Sequence, residues 1–169
     1  TGLKDVGYEL GIVGGGKFDK ILEQVDGKVV IDHIFSECGS VYFRHHGGHR
    51  EIYRKNIREH VNYREVDLLI KEALLFLSGV DYTLSGMFID LRDGLIYISL
   101  IGMQATNAER KYFMDLDKVN HYRIRLLDKL LKKAESIGVA DRLDIREGGS
   151  VGIAIYPKEW NKTQVLDVL

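Results

Sequence analysis

Apolar residues first gather in the run Leu10-Gly11-Ile12-Val13, followed by three glycines and then by Phe18, Ile21, Leu22 and Val25. A short apolar run bounded by glycine reads as a buried strand, and recurrence at three- and four-residue steps reads as an amphipathic helix. Strand, tight turn and helix make half of an α/β unit. Residues 29–34 give a second strand candidate, and 41–46 with 49–54 predict a hairpin turned by Gly47-Gly48.

Beyond residue 56 the rhythm changes. Asn62 followed by Glu65 is a capping-box start, and Val66, Leu69, Ile70, Ala73, Leu74 and Leu77 keep helical spacing. Residues 87–91 and 95–100, joined by Arg92-Asp93-Gly94, predict a hairpin with Asp-Gly turn chemistry. Thr106 with Glu109 predicts a second capping box, opening a helix that carries Tyr112, Phe113 and Leu116. A further helix sets Leu126, Leu127, Leu130, Leu131 and Ala134 on one face, with Gly138 placed to stop it. Residues 143–146 and 151–156, separated by Gly148-Gly149, supply the last two strands. Helix, hairpin, two helices and hairpin fold most economically as a four-stranded antiparallel sheet with helices on one face.

Length and composition narrow the setting. The 169 residues suit one ordinary domain, or a small domain inserted into pieces of another. An apolar fraction of 45% and a single proline argue for a packed globule. The formal net charge of −1 offers no bulk field to nucleic acid or anionic membrane, so any anion site must be local. Cys38 is the only cysteine, which excludes an internal disulfide and a cysteine zinc site and fits a reducing compartment. Lys71 and Glu72 interrupt the longest apolar stretch, so no membrane insertion is expected. The chain begins at Thr1 and not at methionine, with no apolar signal segment, which reads as a processed protein or a fragment; Val165, Leu166, Val168 and Leu169 read as a helix without a stop, so both ends look unfinished.

Several groups invite chemistry. Gly14-Gly15-Gly16 with Lys17 can cradle a phosphate through backbone N–H groups at a helix start, or can simply be a tight turn without P-loop spacing. Arg92 and Arg110 are either ligand cations or solvated surface arginines. His45, His46 and His49 stand on both arms of one hairpin, where imidazoles can converge on a metal. No carboxylate or cysteine of suitable spacing completes that set, so a polar hairpin tip is expected there. The stripe Tyr112, Phe113 and Leu116 reads as core or subunit contact.

The strings Gly11-Ile12-Val13-Gly14-Gly15-Gly16-Lys17-Phe18, Phe35-Ser36-Glu37-Cys38-Gly39, Arg54-Lys55-Asn56-Ile57, Phe88-Ile89-Asp90-Leu91-Arg92-Asp93-Gly94, Ile101-Gly102 and Gly148-Gly149-Ser150-Val151 occur in order along the chain, followed by Tyr156-Pro157-Lys158-Glu159-Trp160-Asn161-Lys162. In order and spacing they resemble the eukaryotic phosphomannomutases of the haloacid dehalogenase superfamily. The resemblance implies an α/β fold: a partial core with a parallel sheet at 1–53, an inserted α/β cap with a four-stranded antiparallel sheet and helices at 54–156, and a return to the core at 157–169. In that family a core aspartate is transiently phosphorylated and Mg²⁺ neutralises the moving phosphoryl group. Cap arginines grip the far phosphate, because guanidinium donors match phosphate oxygens in pairs.

Carried over position by position, Arg92 and Arg110 match the phosphate-gripping arginines and Lys162 matches the core lysine that steadies the phosphorylated aspartate. Gly16 replaces the phosphate-binding serine, and Met103 replaces another substrate arginine. Gly152 and Ala154 stand where the family has a serine and an aspartate that touch the sugar phosphate. The nucleophile strand and the acidic loop of the Mg²⁺ site are not among these residues, so no metal ligand and no retained cofactor are expected. The resulting expectation is a phosphomannomutase-like protein without mutase chemistry, kept as a binding protein or as a structural subunit of a complex. The alternative is an active phosphomannomutase interconverting mannose 6-phosphate and mannose 1-phosphate, seen as a truncated chain. Expected partners are a hexose phosphate and a protein, either another subunit or a second copy through the cap, with no nucleic acid. The resemblance implies a cytoplasmic protein and leaves an organellar complex open.

Overall fold

The computed structural model describes residues 6–25 and 29–169, so Thr1 lies outside the described residues. The chain divides into two compact units: the first takes in the chain to Arg58 with Arg92–Gly94 and Glu159–Leu169, the second Glu59–Leu91 and Leu95–Lys158.

In the first unit, β1 (Gly11–Val13), β2 (His33–Ser36), β3 (Val41–His45) and β4 (His49–Arg54) form one sheet in that order. β1 runs parallel to β2 with Gly11 opposite His33, and the other pairings are antiparallel. The parallel pair needs a crossover, which helix α1 (Phe18–Val25) provides. Ile21 on its inner face is buried, and a Cβ on Gly14 would come within 3.1 Å of it, so the glycine lets the helix close on the strand. β2 lies between β1 and β3 and is buried along its whole length. Phe35 stacks on Tyr42 at 4.4 Å between ring centroids, and Val165 from the end of the chain joins them in the core. His33, also buried, is satisfied from both ring nitrogens, by the Tyr42 hydroxyl at 2.8 Å and the Glu9 carboxylate at 2.7 Å.

Two expectations for this unit change. The second strand starts at His33 and not at residue 29, because Val29, Val30 and Ile31 line an apolar cleft with Leu22, Val25, His45 and His49. Residues Lys162–Asp167 form a short 3₁₀ helix and not an α-helix. Asn161 caps it, its side-chain oxygen accepting from the Thr163 amide at 2.8 Å.

The second unit contains α2 (Tyr63–Leu77), β5 (Ile89–Leu91), β6 (Ile96–Ser99), α3 (Asn107–Asn120), α4 (Tyr122–Ser136), β7 (Leu143–Gly148) and β8 (Gly152–Pro157). Its sheet runs β5-β6-β8-β7 with every pairing antiparallel. Alternation sends Ile96, Ile98, Ile153 and Ile155 to one face, all fully buried, with α4 packed over β7 and β8 and α2 packed on α4. Leu126, Leu130 and Ala134 from α4, Val66, Leu69 and Ala73 from α2, and Phe113 from α3 are buried with them. Burying Phe113 alone is worth about 2–3 kcal/mol relative to exposure.

Local chemistry sets the helix ends. Thr106 accepts from the Glu109 amide while Glu109 accepts from the Thr106 amide at 2.7 Å, the reciprocal box expected there. Asn62 precedes α2 without such a bond, because its ψ of 14° departs from the extended backbone that swings a cap side chain over the first turn. Between α3 and α4 the chain turns at His121 in the left-handed region, and Asp117 accepts from Arg123 through both its amide, at 2.9 Å, and its guanidinium, at 2.7 Å. Gly138 follows α4 at φ +71°, where glycine is unstrained. β5 begins at Ile89 and not at 87, because Gly86 and Met87 both take positive φ.

Candidate functional site

The glycine turn after β1 is fastened through its carbonyl oxygens. Gly14 accepts from the Cys38 amide at 2.8 Å, Gly16 from the Glu37 amide at 3.0 Å, and Gly15 from the Arg92 guanidinium at 3.0 Å. The first arginine matched to phosphate gripping thus spends a donor on the turn. At Gly16 the backbone avoids the left-handed region, and an added Cβ would meet Lys20 Cβ at 3.6 Å and Cγ at 3.7 Å, ordinary van der Waals distances. The fold has room for a side chain at this position.

The segment after β2 carries three successive residues at positive φ: Glu37 at 51°, Cys38 at 61° and Gly39 at 95°. Side chains seldom adopt that conformation, so the surroundings must hold it. Glu37 is 3% exposed and its Oε2 accepts from the Gly94 amide at 2.8 Å. Burial pushes its carboxyl up; the Gly94 N–H bond pulls the other way, and Asp93 adds a push. Gln164 donates to the Cys38 carbonyl at 2.9 Å, and Tyr53 donates to the Gly39 carbonyl at 2.9 Å. Burial also pushes the Cys38 thiol up, against the opposing fields of Lys162 and Arg92, so it is held as the unreactive thiol. Lys162 itself is exposed at the start of the last 3₁₀ helix, in the same unit as Arg92.

Arg110 belongs to the second unit, in the first turn of α3. Its Nε donates to the Ala105 carbonyl at 3.1 Å and its Nη2 to the Met103 carbonyl at 2.8 Å, which fixes the guanidinium plane against the loop before the helix. Met103 is half-buried in that loop. Gly152 and Ala154 lie on the sheet face opposite Ile153 and Ile155, and Ala154 pairs across the ladder with Tyr97 on one side and Arg146 on the other. Tyr97 lies across this face, its hydroxyl donating to the Gly148 carbonyl at 2.9 Å.

Sequence reasoning missed Tyr97 and Glu37. An aromatic in the middle of Ile96-Tyr97-Ile98 marks the face away from the core, which was the available signal. Glu37 gave none, since its role depends on an amide 57 residues away. At the histidine hairpin the His45 and His49 rings meet edge to face at 5.1 Å. Among the described residues no three His, Cys, Asp or Glu side chains gather as metal ligands. No helix among them is long and apolar enough to cross a membrane.

Known proteins place the chain. A family model described as eukaryotic phosphomannomutase matches residues 3–169. Phosphomannomutase 1 of Homo sapiens is 32% identical over 166 residues, covering 95% of this chain and 61% of the human protein. The phosphomannomutase of Drosophila melanogaster is 30% identical over 161 residues, covering 93% of this chain and 61% of the fly protein. The chain therefore spans about three-fifths of the length of these curated relatives. Among solved structures, the C-terminal domain of the Candida albicans trehalose synthase regulatory protein superposes with a TM-score of 0.60 at 8% identity, covering 95% of this chain and 47% of that one. The C-terminal domain of C. albicans trehalose-6-phosphate phosphatase gives 0.56 at 12% identity, with 94% and 46% covered. These likenesses are of fold alone, an α/β fold with one sheet containing a parallel pair and one antiparallel sheet. By sequence, matched over almost its whole length, the chain belongs to the eukaryotic phosphomannomutase family.

Proposed function

We propose that this phosphomannomutase-like protein has given up phosphoryl transfer and is retained for binding or as a structural subunit of a complex. Gly16 carries the reading. Family resemblance puts a phosphate-binding serine here, and neither the backbone nor the available space demands glycine. The hydroxyl is therefore missing at a position that could hold it, which is the mark of a donor no longer needed. Losing one preorganised donor costs about a hundredfold to a thousandfold in rate. Met103 removes a cation and Gly152 and Ala154 remove two further polar groups, all inside the matched region.

The test is to supply full-length protein with mannose 1-phosphate and Mg²⁺ and follow ³¹P resonances for mannose 6-phosphate. No conversion above the uncatalysed background is expected; turnover would overturn the reading.

One observation favours a narrower form, in which a hexose phosphate is bound without being converted. Arg110 is held flat by two carbonyl acceptors, so its remaining donors are preorganised for an anion. That form, and not the structural one, requires Arg110→Ala to weaken mannose 1-phosphate binding at least tenfold in a calorimetric titration, consistent with losing one charge-assisted contact. Equal affinity in both proteins would end this form and leave the structural one.

A further inference from the structure

The open face of the antiparallel sheet shows a different relation between glycine and its surroundings from that at Gly16. A Cβ on Gly152 would fall 2.5 Å from Tyr97 Cζ, 2.5 Å from its hydroxyl oxygen and 2.5 Å from the Ile98 carbonyl oxygen. A Cβ on Gly148 would fall 3.0 Å from Tyr97 Cε2, and one on Gly149 would fall 3.4 Å from the hydroxyl. Three glycines at the end of the β7–β8 hairpin thus lie under one aromatic ring. The ring is fixed at its far end, since the hydroxyl donates to the Gly148 carbonyl. On β6 it alternates with the fully buried Ile96 and Ile98, so it stands on the opposite face, flanked across the ladder by Asp90 and Ala154. Of these two neighbours, Ala154 presents a single methyl group. A larger residue there, or any side chain at 152, would compete with the ring for the same volume.

We infer that Tyr97 is a built-in occupant of this sheet face and bars a phosphosugar from the place where positions 152 and 154 would meet it. This rests on the structural form of the proposed function, in which no hexose phosphate is bound. It goes further in naming the residue that enforces the loss: a hydrogen-bonded phenol over three glycines occupies the volume a hexose would need on this face. The ring excludes ligand by volume, and the hydroxyl bond keeps it from swinging away.

Two measurements on the full-length protein test this. Mannose 1-phosphate, with inorganic phosphate as a second probe, is titrated into the unaltered protein, Tyr97→Phe and Tyr97→Ala. Tyr97→Phe keeps the ring and is expected to bind no better than the unaltered protein, while Tyr97→Ala is expected to bind mannose 1-phosphate at least tenfold more tightly. Inorganic phosphate is expected to change less than the sugar ester, because it does not need the volume of the ring. Equal binding of mannose 1-phosphate by all three proteins overturns the inference. If none of the three binds it, the inference alone fails; if the unaltered protein binds it as tightly as Tyr97→Ala does, the structural form fails with it. Should Tyr97→Ala fold poorly, a stability cycle with Gly148→Ala gives a second answer. Gly148→Ala is expected to lower Tm clearly beside Tyr97 and much less beside Tyr97→Leu, and strictly additive effects would show that the ring does not hold this space.

Discussion

Glu37 combines a strained backbone with a carboxyl out of water, which accepts from the Gly94 amide. Because burial raises its folded pKa above its ordinary 4.5, the folded state holds the proton more tightly than the unfolded chain. Stability from this residue is therefore greatest at low pH and falls as pH rises from 4.5 through the raised value. Glu37→Gln keeps an oxygen to accept from Gly94 and removes the charge. It is expected to raise Tm at pH 8 more than at pH 4.5, flattening the pH profile; a larger gain at the acidic end would contradict this assignment. Residue-scale meaning of this kind was only partly legible in the sequence. Gly94 was readable as a turn glycine, but its Cβ would also fall 2.3 Å from Ser40 Cβ, a close approach that no local pattern records. Gly16 and Gly152 look alike in a string of letters, and only their surroundings separate an optional glycine from an obligatory one.

Elements were the most legible scale, and the departures have physical causes. The Thr106 and Glu109 pair announced α3 because both bonds of a capping box are made within four residues. Asn62 and Glu65 show the same letters without the bond, since backbone ψ at the cap decides whether the side chain can reach. Thr106→Ala is expected to cost about 1 kcal/mol, read from urea unfolding, and Asn62→Ala to show no loss attributable to capping. A negligible change at Thr106 would mean that tertiary packing alone sets the start of α3. Residues 29–31 resemble a strand because an apolar run carries no sign of what it faces: Val30 is 50% exposed, and it lines a cleft with its neighbours. The leucine stripe of α4 was read correctly in its core members, Leu126 and Leu130, while Leu131 lies at 42% exposure on the outer side. Tyr112 and Phe113 divide in the same way, one exposed and the other buried.

At the scale of the whole molecule, near-neutral charge and a large apolar fraction make the cores, and not surface pairs, the source of stability. Lys20–Glu23, Asp67–Lys71, Asp115–Lys118 and Asp128–Lys132 are ion pairs of neighbouring helical turns, every member of them well exposed. Exposed pairs of this kind add little to stability, and salt screens them as the Debye length falls to about 3 Å at 1 M. Removing Phe113, which is fully buried, costs about 3–5 kcal/mol by lost burial and the cavity left behind. For a protein of this size each kcal/mol moves Tm by about 2–4 °C. Raising sodium chloride from low concentration to 1 M is therefore expected to lower Tm by no more than a few degrees, and Phe113→Ala to lower it by on the order of ten. Scanning calorimetry of both samples decides the matter: a salt effect as large as the truncation would mean that surface charge holds this fold, against the placement of its apolar residues.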